Sequence, residues 1–137
     1  MKPELDFQDL SRRIRALDLP DFDLVVGIAT GGTVPASLVA FHLGLPLRLM
    51  SINFRAADNS PQRPEPELLD AFSLEGPASR ILLVDDVSVT GSTFARARQQ
   101  LQGHEVTTLA FKGKADHVLV PEVSSCVVWP WKPEPLS

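Results

Sequence analysis

Residues 81–94 read Ile81-Leu82-Leu83-Val84-Asp85-Asp86-Val87-Ser88-Val89-Thr90-Gly91-Ser92-Thr93-Phe94. Four branched apolar residues in succession are the pattern of a strand buried on both faces, as at the centre of a parallel sheet. Two adjacent carboxylates follow, where that strand is expected to end. A loop of small residues, 88–93, then leads into a helical run that starts at Ser92 or Thr93. This order of elements suits a sugar phosphate. Unpaired N–H groups and the dipole at a helix start attract the phosphate, while carboxylates accept hydrogen bonds from ribose hydroxyls.

Upstream, Phe7, Leu10, Ile14 and Leu17 recur at helical spacing, with Arg12, Arg13 and Arg15 elsewhere on the wheel. They predict an amphipathic first helix with a solvated basic face, closed before Pro20. Residues 24–29 predict a strand that ends in Thr30-Gly31-Gly32-Thr33. A helix follows, with Pro35 in its first turn and Gly44 as its C-cap. Residues 47–52 form the next strand, so strand, glycine turn, helix and strand make a parallel βαβ unit.

Residues 54–80 change character, with Pro61, Pro64, Pro66, Pro77 and Asn59-Ser60 around the short apolar patch Leu68, Leu69 and Phe72. The composition predicts a mobile excursion without firm secondary structure, a candidate lid. Beyond the central stretch come a helix over 94–102 ended by Gly103 and a strand over 105–111. Lys112-Gly113-Lys114 follows, then extended segments over 118–123 and 126–129. Pro130, Pro133 and Pro135 close the chain irregularly. Alternating strands and helices predict an open α/β sheet whose ligands collect at the carboxyl ends of the strands.

A length of 137 residues predicts one domain, 1–137, and the hydrophobic fraction of 44% and charged fraction of 22% are those of a soluble globular protein. A net charge of −4 without a basic run argues against a general nucleic-acid or membrane-surface binder. Cys126 is the only cysteine, which excludes an internal disulfide and a thiolate metal cluster. No apolar run approaches a membrane span and the start lacks a signal-peptide core, so a cytoplasmic location is the default expectation. His42, His104 and His117 have no spacing that suggests a metal site.

The central stretch resembles the signature of the type I phosphoribosyltransferases: an apolar strand, two acids, a short loop, then Thr-Gly-x-Thr, here Thr90-Gly91-Ser92-Thr93. The resemblance implies an open, mainly parallel twisted sheet flanked by helices, with a small hood from the terminal segments. It also implies transfer of phosphoribosyl from phosphoribosyl pyrophosphate (PRPP) to a nitrogenous base, with release of pyrophosphate. Asp85 and Asp86 are then the catalytic acids. Residues Asp85, Asp86, Val87, Ser88, Val89, Thr90, Gly91, Ser92 and Thr93 bind PRPP, and Thr30, Gly31 and Gly32 bind pyrophosphate. Mg²⁺ is the implied cofactor, held near Asp85 and Asp86 through water, and a homodimer is the implied assembly. The peptide between Ala29 and Thr30 is expected to be cis.

The order of elements and the tail look most like the small xanthine/guanine and hypoxanthine branch, which makes a purine the expected base. Lys112, or its neighbour Lys114, stands where that branch places a lysine that donates to the purine 6-oxo group. Val127, Val128, Trp129 and Trp131 fall on the segment that forms the purine floor. One register sets the stacking aromatic on Cys126 and another on Trp131, and the tryptophans can equally pack the C-terminus or a subunit interface.

Two departures stand out. Family members commonly carry Arg or Lys where this chain has Thr30, and 6-oxopurine enzymes usually have Asp where it has Val89. Both favour an alternative, a non-catalytic PRPP- or nucleotide-binding regulator. A phosphoacceptor receiver domain is set aside, because receivers place their aspartate pair after the first strand.

Overall fold

The structure, a computed structural model, describes residues 5–53, 65–123 and 127–131. Helix α1 (Phe7–Ala16) opens on Asp6, whose carboxylate accepts from the Asp9 N–H at 2.8 Å while Asp9 reaches back to the Asp6 amide. This reciprocal cap satisfies two N–H groups that the helix cannot pair itself. The predicted buried stripe is present, with Leu10 and Ile14 wholly covered. Strand β1 (Leu24–Ala29) and helix α2 (Thr33–Leu43) follow as expected, and Gly44 ends α2 in the left-handed conformation at φ 68°.

Strands β2 (Leu47–Asn53), β3 (Glu67–Leu68), β4 (Arg80–Ser88), β5 (Glu105–Gly113) and β6 (His117–Val118) complete a six-stranded sheet in the order β3-β2-β1-β4-β5-β6. All pairings are parallel except β2 with β3. Helix α3 (Ser92–Gln99) connects β4 to β5. The chain steps outward in one direction from β1 to β2 and in the other from β4 to β5. That reversal opens a crevice at the carboxyl ends of β1 and β4, the place where open α/β sheets bind ligands.

β4 divides the core. Leu82 and Val84 pack with Leu10, Ile14, Val39 and Phe111 on the face covered by α1 and α2; Ile81 and Leu83 pack with Phe94, Ala97 and Leu101 on the α3 face. Both faces are dry, which is why the strand reads as an unbroken apolar run. The first and last described segments meet on the α1 side. The Leu5 amide donates to the Val128 carbonyl at 3.4 Å, and Arg13 pairs with Glu122 and donates to the Leu119 carbonyl at 3.2 Å.

Several boundaries differ from the sequence expectations. β4 does not stop before the acids but carries Asp85 and Asp86 within its last turns of pleat, because pairing with β5 continues to Ser88 opposite Gly113. α3 begins at Ser92, one of the two expected starts, but gives way after Gln99 to tighter turns, in which the amides of Gln100 and Leu101 donate to the carbonyls of Ala97 and Arg98. The 118–123 segment contributes only Val118 to a strand. Part of the candidate lid, residues 54–64, lies outside the described residues. The rest is more ordered than its prolines suggested: Glu67 and Leu68 pair with β2, and Phe72 is only 9% exposed, packed with Met50 and Ile52. The Arg48 guanidinium covers the Phe72 ring at 4.9 Å and donates to the Ser73 carbonyl at 3.4 Å.

Phe72 therefore anchors the 65–79 arm to the sheet. Phe72→Ala is expected to lower stability by about 3 kcal/mol, the usual cost of emptying a buried aromatic site. A urea melt reads this as a lower midpoint; a midpoint equal to that of the parent chain would contradict the anchoring role.

Candidate functional site

Two loops meet at the crevice. After β1 the chain turns tightly: the Gly32 amide donates to the Ile28 carbonyl at 2.7 Å, the Thr33 amide to the Thr30 carbonyl at 3.1 Å, and the Ala29–Thr30 peptide is cis. This turn is pressed onto the end of β4. A methyl group on Gly31 would lie 2.8 and 2.9 Å from the carboxylate oxygens of Asp86, and one on Gly32 would lie 2.6 Å from the Ile28 carbonyl oxygen and 2.9 Å from that of Val84. Only glycine fits at either place without displacing backbone or the acid.

Asp85 is buried at 8% exposure, and its Oδ1 accepts from the Asp86 N–H at 2.8 Å. Asp86 is half-buried, and its Oδ1 accepts from the Val87 N–H at 2.7 Å. Burial pushes the Asp85 carboxyl well above the usual carboxylate range, and the neighbouring Asp86 charge and its side-chain hydrogen bond push it further. Such an acid is eager for a positive charge or for hydrogen-bond donors to replace the lost water.

Beyond Ser88 the loop reaches α3 through Gly91, held at φ 86°, where side chains other than glycine are strained. Gly91 offers no side chain to cap the helix. The Thr90 hydroxyl takes the Ser92 N–H at 3.2 Å and pairs with the Ser92 hydroxyl at 2.8 Å. The start of α3 thus carries the hydroxyls of Ser92 and Thr93, with that of Thr90 just before it, beside its first amides. Helix dipole and free amides both favour an anion there. Val89 is exposed beside them at 47% and adds no proton acceptor.

The residues expected to meet pyrophosphate and those expected to meet the sugar therefore come together, Thr30, Gly31 and Gly32 against Asp85 and Asp86. Lys112 is half-buried and paired in register with Val87, so it stands one strand away from the acids. The tail segment packs against β5 and α1. Trp129 and Trp131 stack on each other with centroids 5.0 Å apart and planes 9° apart, and both meet Phe111 edge-on at 6.1 and 6.0 Å. Phe7 covers Trp131 at 6.4 Å. Val127 packs onto the same cluster, Val128 pairs with Leu5, and Cys126 lies outside the described residues. Gly113, Thr108 and Asp116, which hold the turn after Lys112, were not anticipated; the signal available was a glycine set between two lysines.

No group of three or more His, Cys, Asp or Glu side chains converges among the described residues. The adjacent carboxylates of Asp85 and Asp86 nevertheless fit Mg²⁺, which takes one or two carboxylates and fills its shell with water and substrate phosphates.

A family model, the phosphoribosyl transferase domain, matches residues 8–133. The chain belongs to this family. It is 29% identical over 99 residues to the orotate phosphoribosyltransferase of Aeropyrum pernix, covering 72% of this chain and 48% of that protein. It is 37% identical over 98 residues to the transcriptional regulator GfcR of Methanoculleus marisnigri, covering 71% of this chain and 45% of the relative. The chain thus spans about half the length of these relatives, or less. Its fold matches the crystal structure of the purine phosphoribosyltransferase from Pyrococcus horikoshii at a TM-score of 0.70, with 24% identity over 99% of this chain and 97% of that one. Among the described residues no helix is long and apolar enough to cross a membrane.

The raised Asp85 pKa sets a pH dependence. An acid whose folded-state pKa lies above its unfolded value, ~3.9, leaves stability intact below that value and reduces it as pH rises through the folded-state pKa. Asp85→Asn removes this loss, so the variant should melt higher than the parent at pH 7, with the gap closing towards pH 4. Scanning calorimetry across that range checks it; a gap independent of pH, or a variant melting lower at pH 7, would contradict a buried, repelled carboxylate.

Proposed function

We infer that this chain transfers the phosphoribosyl group of PRPP to a nitrogenous base, a purine in the leading reading, and releases pyrophosphate. The observation that carries it is the contact between Gly31 and the Asp86 carboxylate, beside the α3 terminus that no side chain of Gly91 caps. In this reading the 5′-phosphate lies on Thr90, Gly91, Ser92 and Thr93, and the two ribose hydroxyls donate to Asp85 and Asp86. Pyrophosphate sits against the turn formed by Thr30, Gly31 and Gly32. Lys112 donates to an oxygen of the base, and the segment carrying Val127, Val128, Trp129 and Trp131 borders it.

The reaction breaks the C1′–O bond and forms a C1′–N bond. Pyrophosphate leaves with the electron pair, and the acceptor nitrogen loses its proton to pyrophosphate or to water, since Val89 cannot take it. As the C1′–O bond lengthens, positive charge grows on the ribose ring next to two carboxylates. Their attraction to that charge is strongest in the transition state, where it lowers the barrier. Mg²⁺ is the cofactor in this reading and supplies charge neutralisation on the pyrophosphate oxygens. The same reading places the enzyme in the cytoplasm of nucleotide metabolism, has residues 54–80 excluding water from the activated sugar, and has two copies associating. Support for association comes from the Phe41 ring on α2, which is 80% exposed.

A second reading, a PRPP- or nucleotide-binding regulator, draws support from Thr30 and Val89 and from the 37% identity to a transcriptional regulator. The two readings differ in turnover. The chain supplied with PRPP and Mg²⁺ should release pyrophosphate with at least one of hypoxanthine, guanine, xanthine, adenine or orotate. Asp86→Asn should cut that rate by about 10²-fold or more while the fold stays intact. Calorimetric PRPP binding with no release for any base would favour the regulator, and unchanged turnover in Asp86→Asn would refute the role of the acids.

A further inference from the structure

The turn that follows Lys112 at the end of β5 is held from three sides. Thr108, buried in β5, donates its N–H to Asp116 Oδ2 at 2.9 Å and its hydroxyl to the same oxygen at 3.2 Å, while the Asp116 N–H donates to the Thr108 hydroxyl at 2.9 Å. The Asp116 carboxylate thereby takes the place of a strand carbonyl, extending the β5–β6 pairing by one residue into the turn. Arg98 of α3 approaches the same oxygen at 3.5 Å and donates to the Val106 carbonyl at 3.4 Å, which ties α3 to this junction.

At its other end the turn is bound to the phosphate loop. The Lys114 N–H donates to the Ser88 carbonyl at 2.8 Å, and Gly113 pairs with Ser88 at φ 106°. A Cβ on Gly113 would overlap the Ser88 carbonyl oxygen. Backbone of Gly113 and Lys114 therefore touches backbone of Ser88, which leads into Thr90 and Gly91, with no side chain between them.

We propose that Asp116 and Gly113 are positioning residues that lock the Lys112 turn onto the Ser88 end of the phosphate loop and so fix the base contact relative to the sugar. The proposal rests on the transfer reading for its chemistry. Asp116 is exposed and bonded to Thr108, which pairs with Leu83 two residues before the acids, so its part is to place Lys112, not to touch substrate. Rigid placement matters because a displacement of about 1 Å at a reacting group costs up to ~10²-fold in rate.

The test compares Asp116→Ala with Asp116→Asn, which keeps one oxygen acceptor for Thr108. Steady-state kinetics on the full chain should show Asp116→Ala losing about 10-fold in kcat/KM for the base, with KM for PRPP within about twofold of the parent. Asp116→Asn should recover most of the loss. Amide exchange should quicken at Lys114 in Asp116→Ala and in Gly113→Ala. A loss that scales both substrates equally with the folded fraction, or unchanged exchange at Lys114 in both variants, would overturn the proposal. If the parent turns over no base, the transfer reading fails. The positioning role is then read in Kd: Asp116→Ala must weaken a nucleoside 5′-monophosphate but not PRPP, and equal affinities would overturn it.

Discussion

The site depends on two backbones and an acid fitting into a space that a single methyl group would fill. Gly31 lies against the Asp86 carboxylate and Gly32 against the carbonyls of Ile28 and Val84, so the turn after β1 is seated directly on the end of β4. That seating is possible because β1 and β4 are neighbours in the sheet and both run parallel. It also occurs where the strand order reverses, with α2 and α3 packed on opposite faces of the sheet. The dry core beneath, from Ile81 to Val84, fixes the height at which the acids emerge.

Charge follows from this geometry. A buried carboxylate beside a half-buried one is a costly pair in the absence of a cation or a hydroxyl-rich ligand. Immediately beside the pair, the α3 terminus offers the opposite field, which attracts an anion. A ligand carrying both hydroxyls and a phosphate answers both halves, which a plain anion or a plain cation does not. The mildly acidic whole, at −4, does not oppose this, because the phosphate meets local dipoles and not the net charge.

Much of the arrangement was legible in the residues. β1, the start of α2 with Pro35, the αL cap at Gly44 and the site-bearing order of strand, acids and loop all follow local rules that tertiary contacts did not override. What was not legible depended on partners far along the chain. The extent of β4 through Asp86 is set by pairing with β5, and nothing in Val87-Ser88 announces it. The 65–79 arm reads as loop from its prolines, yet Phe72 finds a hole between β2 and α3 whose existence only the folded sheet reveals. Trp129 and Trp131 carry no hint in their spacing that they stack on each other, and the Thr108–Asp116 clasp depends on a turn whose closure is a tertiary fact.

Amide spectra of the ¹⁵N-labelled chain titrated with ribose 5-phosphate would test the central claim most directly. The account expects shifts concentrated at Thr90, Gly91, Ser92 and Thr93 with a second group at Asp86 and Val87, and loss of the second group when the sugar is replaced by inorganic phosphate. Shifts absent from residues 90–93, or centred elsewhere on the molecule, would contradict a sugar-phosphate cradle at the start of α3.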